Sequence, residues 1–132
     1  MDVAHAPLPD ELNVISGHAV DCALKVHRAL GPGLLETVYE ACLARELRKL
    51  GHKVETQVPV DVEYDGEVLE MGFRIDLLVD GKLIIEVKSV GKMHPLFTAQ
   101  LLTYLRLSKR RLGLLINFNV PFIREGIERV VN

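Results

Sequence analysis

From about Asn13 to Leu30, apolar residues recur at helical spacing: Val14, Ile15, Ala19, Cys22, Val26 and Leu30. Gly31-Pro32-Gly33 closes this segment, because glycine accepts left-handed dihedrals and proline cannot continue the hydrogen-bond ladder. A second stripe of Leu35, Val38, Tyr39, Cys42, Leu43, Leu47 and Leu50 predicts a helix over 34–50, stopped by Gly51. The period then changes to two. Val58, Val60, Val62 and Tyr64 share one face of a strand over 54–64, and Asp65-Gly66 is a hairpin signal leading into a strand over 67–79. Asp80-Gly81 marks another turn, into a strand over 82–90. Its Leu83-Ile84-Ile85 run is apolar on both faces, as in the centre of a sheet. Pro95 suits the first turn of a helix reaching about Lys109. Leu112 to Phe118 reads as a buried strand, Pro121 interrupts, and 127–131 adds an edge strand. The order α-α-β-β-β-α-β-(β) predicts an α/β (α+β) fold: a mixed central sheet of four to five strands flanked by helices.

Residues 1–12, with two prolines and little pattern, are expected to form a flexible N-terminal arm, and 13–132 a single domain. No apolar run approaches the ~20 residues of a membrane span. The first seven residues show neither a basic start nor an apolar stretch, so no export signal is expected and the cytoplasm is the default location. Cys22 and Cys42 lack metal-type spacing and read as free thiols. The net charge of −2 does not advertise nucleic-acid binding. Its distribution is more informative. Of 18 acids only Glu125 and Glu128 follow residue 87, whereas half of the 16 Lys and Arg residues do. That layout suits an acidic pocket beside a basic strip, with Lys92, Lys109, Arg110 and Arg111 as candidate phosphate contacts; a solvated surface is the plain alternative.

The candidate chemistry lies in the apolar strands. Glu86 and Lys88 are two apart, so they point to one face of the third strand, and Asp76 interrupts the apolar second strand. Charges projecting from central strands are costly unless paired or bound to something. Register decides whether they meet. A strict two-residue turn at 80–81 sets Asp76 opposite Ile85 and leaves Glu86 on the other face, whereas a three-residue loop or a bulge at Gly81 brings Asp76 and Glu86 together. The carboxylates supply hard oxygen ligands for Mg²⁺ or Mn²⁺, and the lysine can orient water or stabilise charge on phosphorus. The structural alternative is a buried Asp–Lys–Glu salt-bridge cluster.

Glu36 sits at the edge of the second helix's stripe and is a candidate third metal ligand or a boundary residue. Glu46 projects nearer the stripe's centre and reads as structural, pairing Arg74 or capping backbone. Gln100 and Tyr104 share a face of the third helix, and an amide among Ala99, Leu101 and Leu102 needs a partner. His18 and His27 are too far apart for an i, i+4 metal pair and read as surface or packing residues. His94 reads as a helix cap, and Ser89 as bonding to backbone. No Ser/His/Asp triad or phosphate-cradling glycine loop is present.

Gly33-Leu34-Leu35-Glu36-Thr37-Val38-Tyr39 carries the GxxExxY signature, and the chain resembles the family of small proteins named after it. The resemblance extends through Arg74-Ile75-Asp76, Glu86-Val87-Lys88, Ala99-Gln100-Leu101-Leu102-Thr103-Tyr104 and Gly113-Leu114-Leu115-Ile116-Asn117-Phe118, in order, over roughly 14–131. That family is grouped with the PD-(D/E)XK nuclease-like superfamily. The resemblance implies a restriction-endonuclease-like core and a metal site of Glu36, Asp76 and Glu86. It makes Lys88 the water-positioning group and Gln100 with Tyr104 a QxxxY motif. Leu96-Phe97-Thr98 departs from the more polar stretch usual before that glutamine. The implied activity is Mg²⁺- or Mn²⁺-dependent hydrolysis of nucleic-acid phosphodiesters, DNA ahead of RNA. A catalytically silent accessory module of a larger complex is the alternative, and a homodimer is compatible with so small a domain.

Overall fold

The helical periodicities become three helices and the period-two segments a five-stranded sheet in a computed structural model, which describes residues 6–132. Helix α1 spans Asp10–Leu30 and α2 spans Glu36–Lys49. Strands β1 (Val54–Tyr64), β2 (Glu67–Val79) and β3 (Leu83–Lys88) follow, then α3 (Pro95–Ser108), β4 (Leu112–Asn117), a 3-10 turn (Ile123–Gly126) and β5 (Ile127–Val131). The strands lie in chain order. All neighbours are antiparallel except β3 and β4, which α3 joins as a parallel crossover.

Several bounds shift by a residue or more, and two of the differences have a clear physical reason. Helix α1 begins at Asp10 rather than Asn13. Pro9 precedes its first turn and the Leu12 side chain is buried, so these residues belong to the helix rather than to an arm. Leu8 packs on the core and the Ala6 carbonyl accepts from Arg111 at 2.7 Å, while the remainder of the expected arm, residues 1–5, lies outside the described residues. Strand β3 ends at Lys88 rather than Val90, because the Asn117 side chain claims the Val90 backbone, accepting from its N–H at 3.1 Å and donating to its carbonyl at 3.0 Å.

Helices α1 and α2 cover one face of the sheet through Ala19, Ala23, Tyr39, Leu43 and Leu47 against Leu77, Ile85, Val87 and Ile116. Helix α3 covers the other through Leu101, Tyr104 and Leu105 against Ile75, Leu78, Ile84 and Leu115. The central strands β3 and β4 are thus buried on both sides, which explains their unbroken apolar runs.

The GxxExxY segment has a structural logic. Gly31 and Gly33 take φ values of 68° and 95°, which a side chain rarely adopts. The buried Tyr39 stacks on Phe118 with ring centroids 4.4 Å apart, and its hydroxyl donates to Gly31 O at 2.5 Å while accepting from Leu34 N–H at 3.1 Å. One aromatic side chain therefore fixes the loop that delivers Glu36 as the first residue of α2.

The β2–β3 loop is held as firmly. His52 Nδ1 lies 2.6 Å from Asp80 Oδ2, the Lys53 N–H donates to Asp80 Oδ1 at 2.8 Å, and His18 Nδ1 lies 2.8 Å from His52 Nε2. His18 therefore packs into a relay. His27 is buried, with Nε2 2.8 Å from Val120 O. Glu46 pairs with Lys25 at 2.9 Å and Lys49 at 3.2 Å rather than with Arg74, because its side chain leans back towards α1. Cys22 is a buried free thiol, and Cys42 is only half-buried.

Gly126 sits where an added Cβ would lie 2.1 Å from Asn117 O, a backbone atom that cannot step aside. Gly126→Ala should therefore lower stability by about 2 kcal/mol or more, dropping the thermal midpoint by roughly 6–12 °C. Thermal unfolding by circular dichroism checks this, and an unchanged midpoint would contradict the close approach.

Candidate functional site

The β2–β3 pairing runs Val79↔Leu83, Leu78↔Ile84 and Leu77↔Ile85, leaving a three-residue loop of Asp80, Gly81 and Lys82. Asp80 and Gly81 both carry positive φ, 53° and 68°. The odd loop is the condition that brings Asp76 and Glu86 to the same level, and it is met. Beyond Leu77 and Ile85 the carboxylates replace main-chain carbonyls as acceptors. Asp76 N–H donates to Glu86 Oε1 at 3.2 Å, and Val87 N–H donates to Asp76 Oδ2 at 2.8 Å. The two acids thus occupy a gap between two strands that would otherwise continue to pair.

An irregularity in the neighbouring strand opens that gap. Thr56 pairs with Leu77 and Val58 with Ile75, so Gln57 lies opposite Asp76, with φ of 53° in the middle of a strand. The sheet face changes there. Val54, Leu77 and Val79 pack with α1 and α2, whereas Val60, Ile75 and Leu78 pack in the α3 cluster. Strict alternation would keep Ile75 and Leu77 together, so β2 inverts at Asp76. Such irregularities re-aim side chains.

Glu86 is only 6% exposed. Burial pushes its carboxyl up to about 9, and the neighbouring Asp76 charge adds to the rise. Among the described residues neither acid has an ion-pair partner. Lys88, the obvious base, instead holds its ammonium 4.4 Å from the centroid of the Phe97 ring. The buried salt-bridge alternative is therefore not what forms. Phe97, part of the apolar departure noted above, is what takes Lys88.

The other predicted residues divide. The Glu36 carboxylate accepts from Ser89 N–H at 3.3 Å, and the Ser89 hydroxyl donates to Leu34 O at 2.6 Å, so α2's first turn is tied to the segment after Lys88. Glu36 does not close a three-acid cluster with Asp76 and Glu86; no set of three His, Cys, Asp or Glu side chains encloses an ion position among the described residues. Tyr104 is buried near Phe73, with ring centroids 6.0 Å apart. Burial raises its hydroxyl's pKa, and the charges of Glu86 and Asp76 raise it further, which places the ring beside the pair. Gln100 is exposed and lines a shallow depression with Leu96, Phe97, Ala99 and Thr103. It is not the buried amide the sequence suggested.

His94 caps α3 as expected, accepting from Leu96 N–H at 3.1 Å, and the exposed Lys92 lies in the same connection after Lys88. The basic triplet is elsewhere. Arg110 donates to Gly81 O at 2.8 Å, and Arg111 donates to Asn132 O and Ala6 O at 2.9 and 2.7 Å. In the parallel β3–β4 pair Leu112 sits beside Leu83 and Asn117 beside Lys88. Lys109, Arg110 and Arg111 therefore lie at the far end of the strands, about 17 Å from Lys88 along β3. The structure does not form the continuous basic strip that the charge distribution suggested.

Sequence reading missed Glu40 and Gln57. Gln57 Nε2 donates to both Glu40 carboxylate oxygens, at 2.9 and 3.1 Å, and to Asp76 Oδ1 at 3.3 Å. Burial, then Asp76 and Glu36, push the Glu40 carboxyl up against the lowering effect of the Gln57 bond. The i, i+4 spacing of Glu36 and Glu40 on α2 was a visible signal; nothing in the sequence marked Gln57.

The family model of the PD-(D/E)XK nuclease superfamily matches residues 13–130. The chain belongs to that superfamily. The mixed sheet flanked by helices is consistent with its fold. A search of curated proteins gave no match, and neither did a search of solved structures. Members of the superfamily are usually nucleases and typically use divalent metals, and the donor set here fits such an ion. Asp76 and Glu86 present adjacent hard oxygens with no ion-pair partner among the described residues.

The raised Glu86 carboxyl has a consequence for stability. Between the ordinary carboxyl value of 4.5 and about 9 the folded protein keeps a proton that the unfolded chain releases, so stability falls as pH rises through that window. In EDTA, Glu86→Gln should raise the thermal midpoint over the parent by several degrees at pH 8–9 and by little near pH 5. A difference independent of pH would show that Glu86 is not the titrating group.

Proposed function

We propose that this protein is a divalent-metal-dependent nuclease acting on nucleic-acid phosphodiesters, of the GxxExxY type. The observation that carries this reading is the pairing of a buried Glu86 with a half-buried Asp76, inserted between strands with no ion-pair partner among the described residues, in a chain of the nuclease superfamily. Mg²⁺ or Mn²⁺ would be held by Asp76 and Glu86, with Glu36 joining through a change of its Ser89 contact. Such an ion polarises phosphate and lowers the pKa of bound water.

The chain's own groups have defined tasks in this reading. Lys88 shares the Glu86 face of β3 and is held by Phe97 rather than by a carboxylate, which leaves its protons for water or a phosphate oxygen. Tyr104 walls the site on the α3 side. Gln100 and Lys92, both exposed, would meet substrate rather than the ion in this reading, with DNA ahead of RNA as the substrate we propose. Lys109, Arg110 and Arg111 are too distant for the scissile phosphate and would serve only as contacts along a longer duplex.

A second reading, a catalytically silent module that binds or supports a complex, is favoured by one observation: Glu36 stands apart from the other two acids. In either case no helix among the described residues is long and apolar enough to cross a membrane.

Cleavage of single- and double-stranded DNA and RNA should appear with Mn²⁺ and vanish with EDTA. Lys88→Ala should lower the rate by about 100-fold or more with its circular dichroism spectrum unchanged. Equal rates in parent and variant would remove Lys88 from the chemistry. Mn²⁺ binding without cleavage of any of these substrates would favour the silent module.

A further inference from the structure

We propose that Gln57 is a positioning residue of the cation site: its side-chain amide ties Glu40 to Asp76 and holds the Asp76 carboxylate in the orientation an ion requires. This rests on the metal-dependent reading above and adds a residue that the nuclease motifs do not contain.

Three observations support it. The first is conformational. A non-glycine residue at φ of 53° within a strand costs about 1 kcal/mol or more, and such outliers persist only where surrounding structure holds them. Arg74 Nη1 does so here, donating to Gln57 O at 3.3 Å. The second is placement. Gln57, Asp76 and Glu86 lie abreast on three adjacent strands, and the face inversion of β2 occurs at that level.

The third is the hydrogen bonding. The Gln57 amide has two N–H donors, and they serve two carboxylates from different elements, Glu40 on α2 and Asp76 on β2. Asp76 then has one donor on each oxygen, Gln57 on Oδ1 and Val87 N–H on Oδ2. Each oxygen keeps a lone pair for a cation. Without the amide, Glu40 and Asp76 face each other with no donor between them, and like charges so placed move apart. Glu40 meanwhile stays close enough to add negative charge around the ion without ligating it. Groups that orient ligands in this way typically contribute ten- to a hundredfold to metal affinity.

Two variants separate the amide from the backbone. Gln57→Gly accepts the left-handed conformation freely but has no amide; Gln57→Asn tolerates it while its amide is one methylene too short to span both carboxylates. The measurement is Mn²⁺ titration of the full chain by calorimetry, alongside thermal unfolding in EDTA. Both variants should bind Mn²⁺ about 10–100-fold more weakly than the parent, with metal-free midpoints equal to or above it. Glu40→Gln should weaken binding too, and in combination with Gln57→Gly should add little, since the two groups act as one.

Parent-like affinity in Gln57→Gly would reduce Gln57 to a backbone device and overturn the proposal while leaving the Asp76–Glu86 site intact. No Mn²⁺ binding by the parent would overturn the metal reading, and this proposal with it.

Discussion

A buried carboxyl, Glu86, beside a half-buried one, Asp76, with no ion pair to either among the described residues, is the constraint around which the rest of this structure is arranged. The carboxyl of Glu86, held in the sheet beside Asp76, keeps its proton to about pH 9. A fold selected for stability alone would fill that gap with apolar side chains or place Lys88 against the acids. Instead the ammonium of Lys88 rests on Phe97, and the acids accept main-chain N–H groups that strand pairing would otherwise use. The unbalanced acids are local to this gap, and in the proposed reading a divalent cation would balance them.

Much of the remaining structure keeps the gap in register. The three-residue β2–β3 loop sets Asp76 level with Glu86, and the His18–His52–Asp80 relay holds that loop. Tyr39, stacked on Phe118, fixes the glycine loop ahead of Glu36. Asn117 holds the chain beyond Lys88, and Gly126 lets another backbone segment approach Asn117 at a distance no side chain would permit. Residues far from the acids thus bear on the site through backbone geometry rather than by contact.

The elements and the central pair were legible in the sequence because both follow from local rules. Periodicity separates helix from strand, and alternation puts Glu86 and Lys88 on one face. Even the odd loop could be stated as a requirement, since a one-residue slip sends every side chain to the other face. What escaped were arrangements set by tertiary context. Nothing local marks Gln57 as left-handed, so neither the inversion of β2 nor the amide bridge to Glu40 was visible. The Lys109-Arg110-Arg111 run is basic by composition, but the parallel β3–β4 pairing puts it at the wrong end of the sheet and gives Arg110 and Arg111 to backbone carbonyls. Gln100 follows the same pattern: helical spacing aligns it with Tyr104, while the packing of α3 on the sheet buries one and leaves the other exposed.

Crystals grown with Mn²⁺ and measured at a wavelength where manganese scatters anomalously would show whether a cation enters this gap. One anomalous peak is expected in the gap between β2 and β3, about 2.1 Å from an oxygen of Asp76 and an oxygen of Glu86. An empty gap at saturating Mn²⁺, with Asp76 and Glu86 keeping only their hydrogen bonds to main-chain N–H groups and the Gln57 amide, would mean that the pair is not a cation site.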